Sequence, residues 1–158
     1  MTEVASVIDT APVSLFASPA WSHVRGTDLG FAGSVPPRQA WELFRDGHAR
    51  LVDVRTPEEL RFVGRVPGSV NVAWATGTQL TRNPRFVREL ESKVRKDEPV
   101  LLLCRSGKRS ALAAQAAAQA GFGHVFNVLE GFEGELNEVQ QRGRTDGWRF
   151  RGLPWVQD

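Results

Sequence analysis

Cysteine is almost absent from the chain: Cys104 is the single one in 158 residues. One thiol excludes an internal disulfide and any intramolecular dithiol exchange. Histidine is scarce as well. His23, His48 and His124 are scattered without metal-ligand spacing, so they read as solvent-facing or core imidazoles and no metal is expected. No apolar run approaches the ~18 residues of a membrane helix, and no membrane contact is expected. Lysine is thin, with 3 residues against 17 arginines, and the formal net charge is only +2. That balance, with no aromatic-and-basic motif, gives no footprint for nucleic acid. The start, Met1-Thr2-Glu3-Val4-Ala5, lacks the positive segment and apolar core of a signal peptide. A cytoplasmic protein is expected.

What remains is ordinary globular material. Hydrophobic residues make up 41% and charged residues 24%, as in soluble domains. The length suits one domain with extensions and a single core.

The chain is organised around Pro99-Val100-Leu101-Leu102-Leu103-Cys104-Arg105-Ser106-Gly107-Lys108-Arg109-Ser110. Residues 99–103 follow a turn signal (Asp97-Glu98-Pro99) and read as a buried strand. Residues 111–120 are nearly all Ala, Leu and Gln, strong helix formers, and Gly121 is a natural stop. Between them lies a polar, glycine-containing loop headed by the cysteine. A loop from a strand end into a helix start turns backbone N–H groups inward and binds anions. Arg105, Lys108 and Arg109 add three positive charges. A thiol so placed is expected to sit as thiolate near neutral pH. A lone cysteine behind an apolar strand is often an inert core residue. Three cations beside it argue for an activated nucleophile.

The run Cys-Arg-Ser-Gly-Lys-Arg-Ser before an Ala-rich helix resembles the active-site loop of the rhodanese-like sulfurtransferases. The resemblance covers about residues 34 to 136. Asp53-Val54-Arg55 followed by Pro57-Glu58-Glu59, and Gly64-Arg65-Val66-Pro67-Gly68-Ser69-Val70-Asn71, are similar to further family signatures. Two positions depart from the pattern. Arg65 stands where the family usually has His. Phe132 stands at the second glycine of a Leu-x-Gly-Gly segment beside the cysteine loop, where it is expected to narrow or reshape the pocket. The ending, Gly147-Trp148 and Gly152-Leu153-Pro154-Trp155, is similar to some single-domain members.

In chain order, residues 1–33 read as an irregular arm rich in small residues, with Trp21 and Phe31 docking on the domain. Residues 34–140 form the domain and 141–158 a tail packed on it. Pro36-Pro37 opens a helix with Ala40, Trp41 and Phe44 on one face and Gly47 at its end. Residues 49–55 read as a strand. Thr56, Pro57 and Glu59 form a capping box with proline at the first helical position. Asn83-Pro84 caps and starts a helix striped by Phe86, Leu90 and Val94. Residues 124–128 read as a strand and 132–140 as a last helix. Strands alternating with helices give an α/β fold, a three-layer α/β/α sandwich with a mainly parallel sheet. Ligands then sit at the carboxyl ends of the strands, where Cys104 lies.

The resemblance implies sulfur transfer without metal or organic cofactor. Cys104 takes a sulfane sulfur from a small anionic donor such as thiosulfate and passes it to a thiol or cyanide. Arg105, Ser106, Gly107, Lys108, Arg109 and Ser110 bind substrate and stabilise charge. Arg109 either faces the anion or pairs with a carboxylate. Asp53 and Arg55 support the site: Asp53 accepts from backbone or arginine, and Arg55 pairs with Glu59 or its neighbours. Two further readings stand beside this one. A phosphatase or arsenate reductase also uses a loop cysteine, but the place of the phosphatase arginine is held by Ser110, and a second cysteine is lacking. A sulfur-carrier or interaction module would use the same loop with a protein persulfide donor or acceptor and turn over little free thiosulfate.

Overall fold

The computed structural model describes Leu15 and residues 17–158. The expected arm before Leu15 lies outside the described residues. Five strands form one parallel sheet: β1 (Gly33–Val35), β2 (Arg50–Asp53), β3 (Val70–Asn71), β6 (Val100–Leu103) and β7 (Val125–Val128), in the order β1-β7-β6-β2-β3. Two more strands, β4 (Ala75–Thr76) and β5 (Thr81–Arg82), pair antiparallel in a small hairpin that the sequence did not announce. Four helices, α1 (Pro37–Arg45), α2 (Pro57–Val63), α3 (Phe86–Lys93) and α4 (Lys108–Gln119), occupy the connections.

Why the sheet is covered on both faces follows from its strands. All residues of β6 and β7 are buried, as parallel strands between two layers must be. Val100 and Leu102 point to one side, where α3 brings Phe86 and Leu90 and α4 brings Ala113, Ala114 and Ala117. Leu101 and Leu103 point to the other, toward Ala40 and Leu43 of α1, with Trp21, Phe126 and Trp148. The expected stripe Phe86, Leu90, Val94 is buried. Trp21 and Phe31 are buried too, so the arm docks as expected where it is described. Trp148 is fully buried, stacks edge-on to Trp41 at 6.3 Å, and donates from Nε1 to the Pro154 carbonyl.

The structure differs from four local expectations. Residues 132–140 form turns and irregular backbone, not a helix. The amides of Phe132, Glu133 and Gly134 donate to the carbonyls of Cys104 and Arg105, and Gly134 sits at φ +87, in the left-handed region, where a right-handed helix cannot continue. Asn137 Oδ1 accepts from the amides of Val139 and Gln141, a local alternative to helical bonding. Second, the helix after the cysteine loop begins at Lys108 rather than 111. Third, β1 starts at Gly33, inside the expected arm, and pairs with β7. Fourth, α3 starts at Phe86 with Arg85 as its cap. Asn83 still accepts at Oδ1 from the Arg85 amide, but its Nδ2 is spent on the Ala73 carbonyl and Glu89.

Candidate active site

Cys104 follows the last residue of β6, the middle strand of the sheet, and is buried. Its loop is short because Lys108, Arg109 and Ser110 already belong to the first turn of α4. The N–H groups of that turn have no partner within the helix, and the helix dipole adds partial positive charge there. Gly107 is the N-cap, with φ +101 in the left-handed region, where glycine carries no Cβ penalty. This turn aims the Gly107 N–H at Cys104 Sγ, 3.1 Å away. Ser110 Oγ lies 3.2 Å from the same sulfur. Glycine is required at Gly131 for another reason: a Cβ there would collide with the Arg105 carbonyl and the Ser106 nitrogen. The Glu130–Gly131 turn thereby packs directly on the cysteine loop.

The other expected site residues fall at different depths. Arg105, Ser106 and Arg109 are partly buried, Lys108 is exposed, and Ser110 is buried. Arg105 lines a cavity of about 350 Å³ with Thr56, Glu58, Glu59, Gly77, Thr78 and Leu80. The turn of the β4–β5 hairpin forms one wall at the mouth of this cavity, whose lining holds Arg105 but not Cys104. A larger hollow beside Arg50 and Lys93 lies at the opposite end of the sheet, where β2 begins, away from the cysteine.

Arg109 pairs with a carboxylate. Its two terminal nitrogens donate to both oxygens of Glu59 at 2.8 and 2.9 Å. Glu59 also completes the expected capping box with Thr56. Burial acts to raise the Glu59 carboxyl, but the Arg109 guanidinium and the Thr56 N–H outweigh it and hold the group down at about 2. Burial also works against the Arg109 charge, and the Glu59 hydrogen bonds and charge more than offset it, leaving Arg109 raised above its ordinary value.

Arg55 therefore does not pair with Glu59, as the sequence suggested. It lies fully buried and forks onto Asp53, with Nη2 at 2.7 Å from Oδ2, and Nη2 also donates to the Gly64 carbonyl. The Asp53 oxygen accepts from the Arg55 amide too. The remaining guanidinium nitrogen, Nη1, has no hydrogen-bond partner. The guanidinium instead sits over the ring of Phe132, 4.2 Å from its centroid, a cation–π contact that offsets part of the desolvation. Phe132 is thus fully buried beneath the loop and absent from the lining of the mouth. Its expected narrowing of the pocket is replaced by a role as cover for Arg55. Arg65, the other departure, bridges to Val156 and pairs with Asp158 at 2.7 Å, tying the tail to the domain.

One residue at the site went unnoticed in the sequence. Asn127 of β7 is buried, with Oδ1 at 2.5 Å from Ser110 Oγ and Nδ2 donating to the Gly107 carbonyl at 3.3 Å. A polar residue inside the apolar run Val125-Phe126-Asn127-Val128 was the available signal.

Comparison with known proteins agrees with this geometry. The family model of the rhodanese-like domain matches residues 36–138. Thiosulfate sulfurtransferase 16, chloroplastic, of Arabidopsis thaliana is 33% identical over 123 residues, covering 77% of this chain and 90% of that protein. The senescence-associated protein DIN1 of Raphanus sativus is 37% identical over 101 residues; the match takes in 63% of this chain but only 54% of that protein. Among solved structures, the crystal structure of Rv0390 from M. tuberculosis superposes with a TM-score of 0.74 at 45% identity, over 81% of this chain and 99% of that one. Among the described residues, no helix is long and apolar enough to cross a membrane. With a parallel α/β sheet, a cysteine loop at its centre and a family model matched over most of its length, the chain belongs to the rhodanese-like domain family, which includes named thiosulfate sulfurtransferases.

Proposed function

We propose that this protein is a sulfurtransferase that carries sulfane sulfur on Cys104. The Cys104 thiolate attacks the outer sulfur of thiosulfate or of a persulfide donor. A bond forms between Sγ and that sulfur, the donor's S–S bond breaks, and sulfite or a thiolate leaves with the electron pair. A thiolate or cyanide acceptor then attacks the outer sulfur, and the Cys104 thiolate is restored. Arg105, Ser106, Gly107, Lys108 and Ser110 form the cradle. Its N–H groups stabilise charge held on sulfur, as oxyanion holes do for oxygen. A cytoplasmic setting and protein persulfide partners belong to the same proposal.

The observation that carries the reading is the single sulfur seated at the start of a 12-residue helix, with the Gly107 N–H donating to it at 3.1 Å and Ser110 Oγ 3.2 Å away. Sulfur is favoured over phosphate by the position of Arg109. A phosphoryl transition state spreads charge over three equatorial oxygens that a guanidinium must clamp. Arg109 is engaged by Glu59, and Ser110 occupies the place of a phosphatase arginine. The test is to supply thiosulfate with cyanide, and p-nitrophenyl phosphate in parallel. Thiocyanate should form, and no cysteine-dependent ester hydrolysis should occur. Ester turnover that vanishes in Cys104→Ser would replace this reading with a phosphatase.

A further inference from the structure

We propose that Asn127 is a positioning residue that withholds the Ser110 proton from Cys104 and so keeps the thiolate poorly solvated and reactive. The inference rests on Cys104 being the nucleophile. Two acceptors compete for one hydroxyl proton. Ser110 Oγ lies 2.5 Å from Asn127 Oδ1 and 3.2 Å from Cys104 Sγ. Asn127 Nδ2 faces the Gly107 carbonyl, which only accepts, so Oδ1 is the atom turned to Ser110. An amide oxygen donates nothing. At 2.5 Å the hydroxyl proton must lie between the two oxygens, since facing lone pairs would repel.

Ser110 then presents a lone pair to Cys104, and the neutral thiol donates its S–H to that oxygen. When the thiol proton leaves to solvent, this arrangement has a cost. Either the thiolate faces a lone pair, or the hydroxyl swings to sulfur and strips Asn127 Oδ1 of its donor in a buried site. The Gly107 N–H at 3.1 Å is left as the thiolate's uncontested donor. Once Sγ bonds a sulfane sulfur, the charge moves to the outer atom and Ser110 stays on Asn127 without conflict. Asn127 thereby favours the loaded state over the bare thiolate.

The charged groups around the loop are accounted for. Arg105 comes from the loop and Lys108 from α4; Glu58 of α2 lines the cavity with Arg105, Arg109 is paired with Glu59 of α2, Asp53 with Arg55 beneath, and Glu130 with Arg151, while Glu133 follows the Glu130–Gly131 turn and Arg149 lies over Phe132. Of the strands beside β6, β7 supplies only the neutral Asn127. Substitution at 127 leaves every one of these charges in place.

The experiment measures the pH profile of alkylation by iodoacetamide, in which an Sγ–carbon bond forms and iodide leaves. The proteins are the wild type, Asn127→Ala, Ser110→Ala and the double variant. Asn127→Ala frees the hydroxyl for sulfur. Its midpoint should fall by about 0.5–1 pH unit, a three- to tenfold change in the ionisation equilibrium. Its plateau rate should fall about twofold, because a better-stabilised thiolate is a weaker nucleophile. In the Ser110→Ala background the same substitution should shift nothing. An equal shift in both backgrounds, or none in either, overturns the proposal, since Asn127 would then act only through the Gly107 carbonyl.

A second measurement needs no substitution at 127. The wild-type proton spectrum should show a downfield, exchange-protected hydroxyl resonance, missing in Ser110→Ala, that persists as pH rises through the alkylation midpoint. A resonance that is absent from the thiol form, or that is lost as the thiolate forms because the hydroxyl has turned to sulfur, contradicts the arrangement. Alkylation does not depend on sulfur transfer. A protein with this coupling that never accepts sulfur overturns the proposed function alone, and one that transfers sulfur without the coupling overturns the inference alone.

Discussion

At the scale of single residues, position is what favours the proposed reading of Cys104 as a nucleophile over that of an inert core thiol. It is as buried as its strand neighbours, yet the next backbone groups turn back onto its sulfur. Arg105 is the strongest candidate for orienting an anionic donor. Its Nε is buried without a hydrogen-bond partner, and the residue lines the mouth. A buried donor left unpaired asks for an acceptor. Arg105→Ala should lower kcat/KM for thiosulfate about 10- to 100-fold, the range of a charged hydrogen bond. Lys108 is exposed, so Lys108→Ala should cost less than about tenfold. Steady-state kinetics of both variants check this; unchanged values for Arg105→Ala would move donor binding elsewhere. Residue types and spacing made Cys104 and its loop legible in the sequence. Asn127 was not legible, because its partner Ser110 lies 17 residues away. Only the parallel pairing of β6 with β7, Leu102 opposite Asn127, brings it to the loop.

At the scale of elements, the start of α4 and the capping box of α2 are one unit. The capping box was readable from Thr56-Pro57-Glu58-Glu59, since its bonds span three residues. That Glu59 also holds Arg109, 50 residues on, depends on how the two helices meet. The linkage has a sign that can be checked. The Glu59 carboxyl is held at about 2 against an ordinary 4.5, a depressed value. Its contribution to stability is full above the unfolded value, and it is lost as pH falls from about 4.5 toward about 2. Glu59→Gln should unfold at lower denaturant concentration than the wild type at pH 6, and the gap should close as the pH approaches 2. A gap that stays constant across that range would show that the carboxylate charge is not what binds the two helices. The expected helix over 132–140 failed for a reason of the same scale. Its composition permits a helix, but Gly134 is held at φ +87 against Asp146 of the tail, a tertiary contact that local sequence cannot reveal.

For the whole molecule, the alternation along β6 divides the core into two layers, and the two faces are closed differently. One face is covered by α3 and α4. The other receives α1 and then chain from both extensions, Trp21 from the arm and Trp148 and Leu153 from the tail. The parallel sheet was readable from its continuous apolar strands. The route of the tail was not, since it hangs on distant contacts such as Arg65 with Asp158 and Trp155 edge-on to Phe132. This packing supports the Glu130–Gly131 turn, whose carboxylate accepts from the Gly147 amide and pairs with Arg151, and through it the loop that carries the sulfur. The proposed function turns on one chemical event, the arrival of a sulfur atom on Cys104. Intact-mass measurement of the reduced protein after incubation with thiosulfate, beside Cys104→Ser treated alike, tests it most directly. The wild type should gain one sulfur, about 32 Da, that dithiothreitol or cyanide removes, and the variant, whose hydroxyl forms no stable persulfide, should gain none. A wild type that never gains sulfur from thiosulfate or a persulfide donor, or a Cys104→Ser protein that gains it equally, would contradict the assignment.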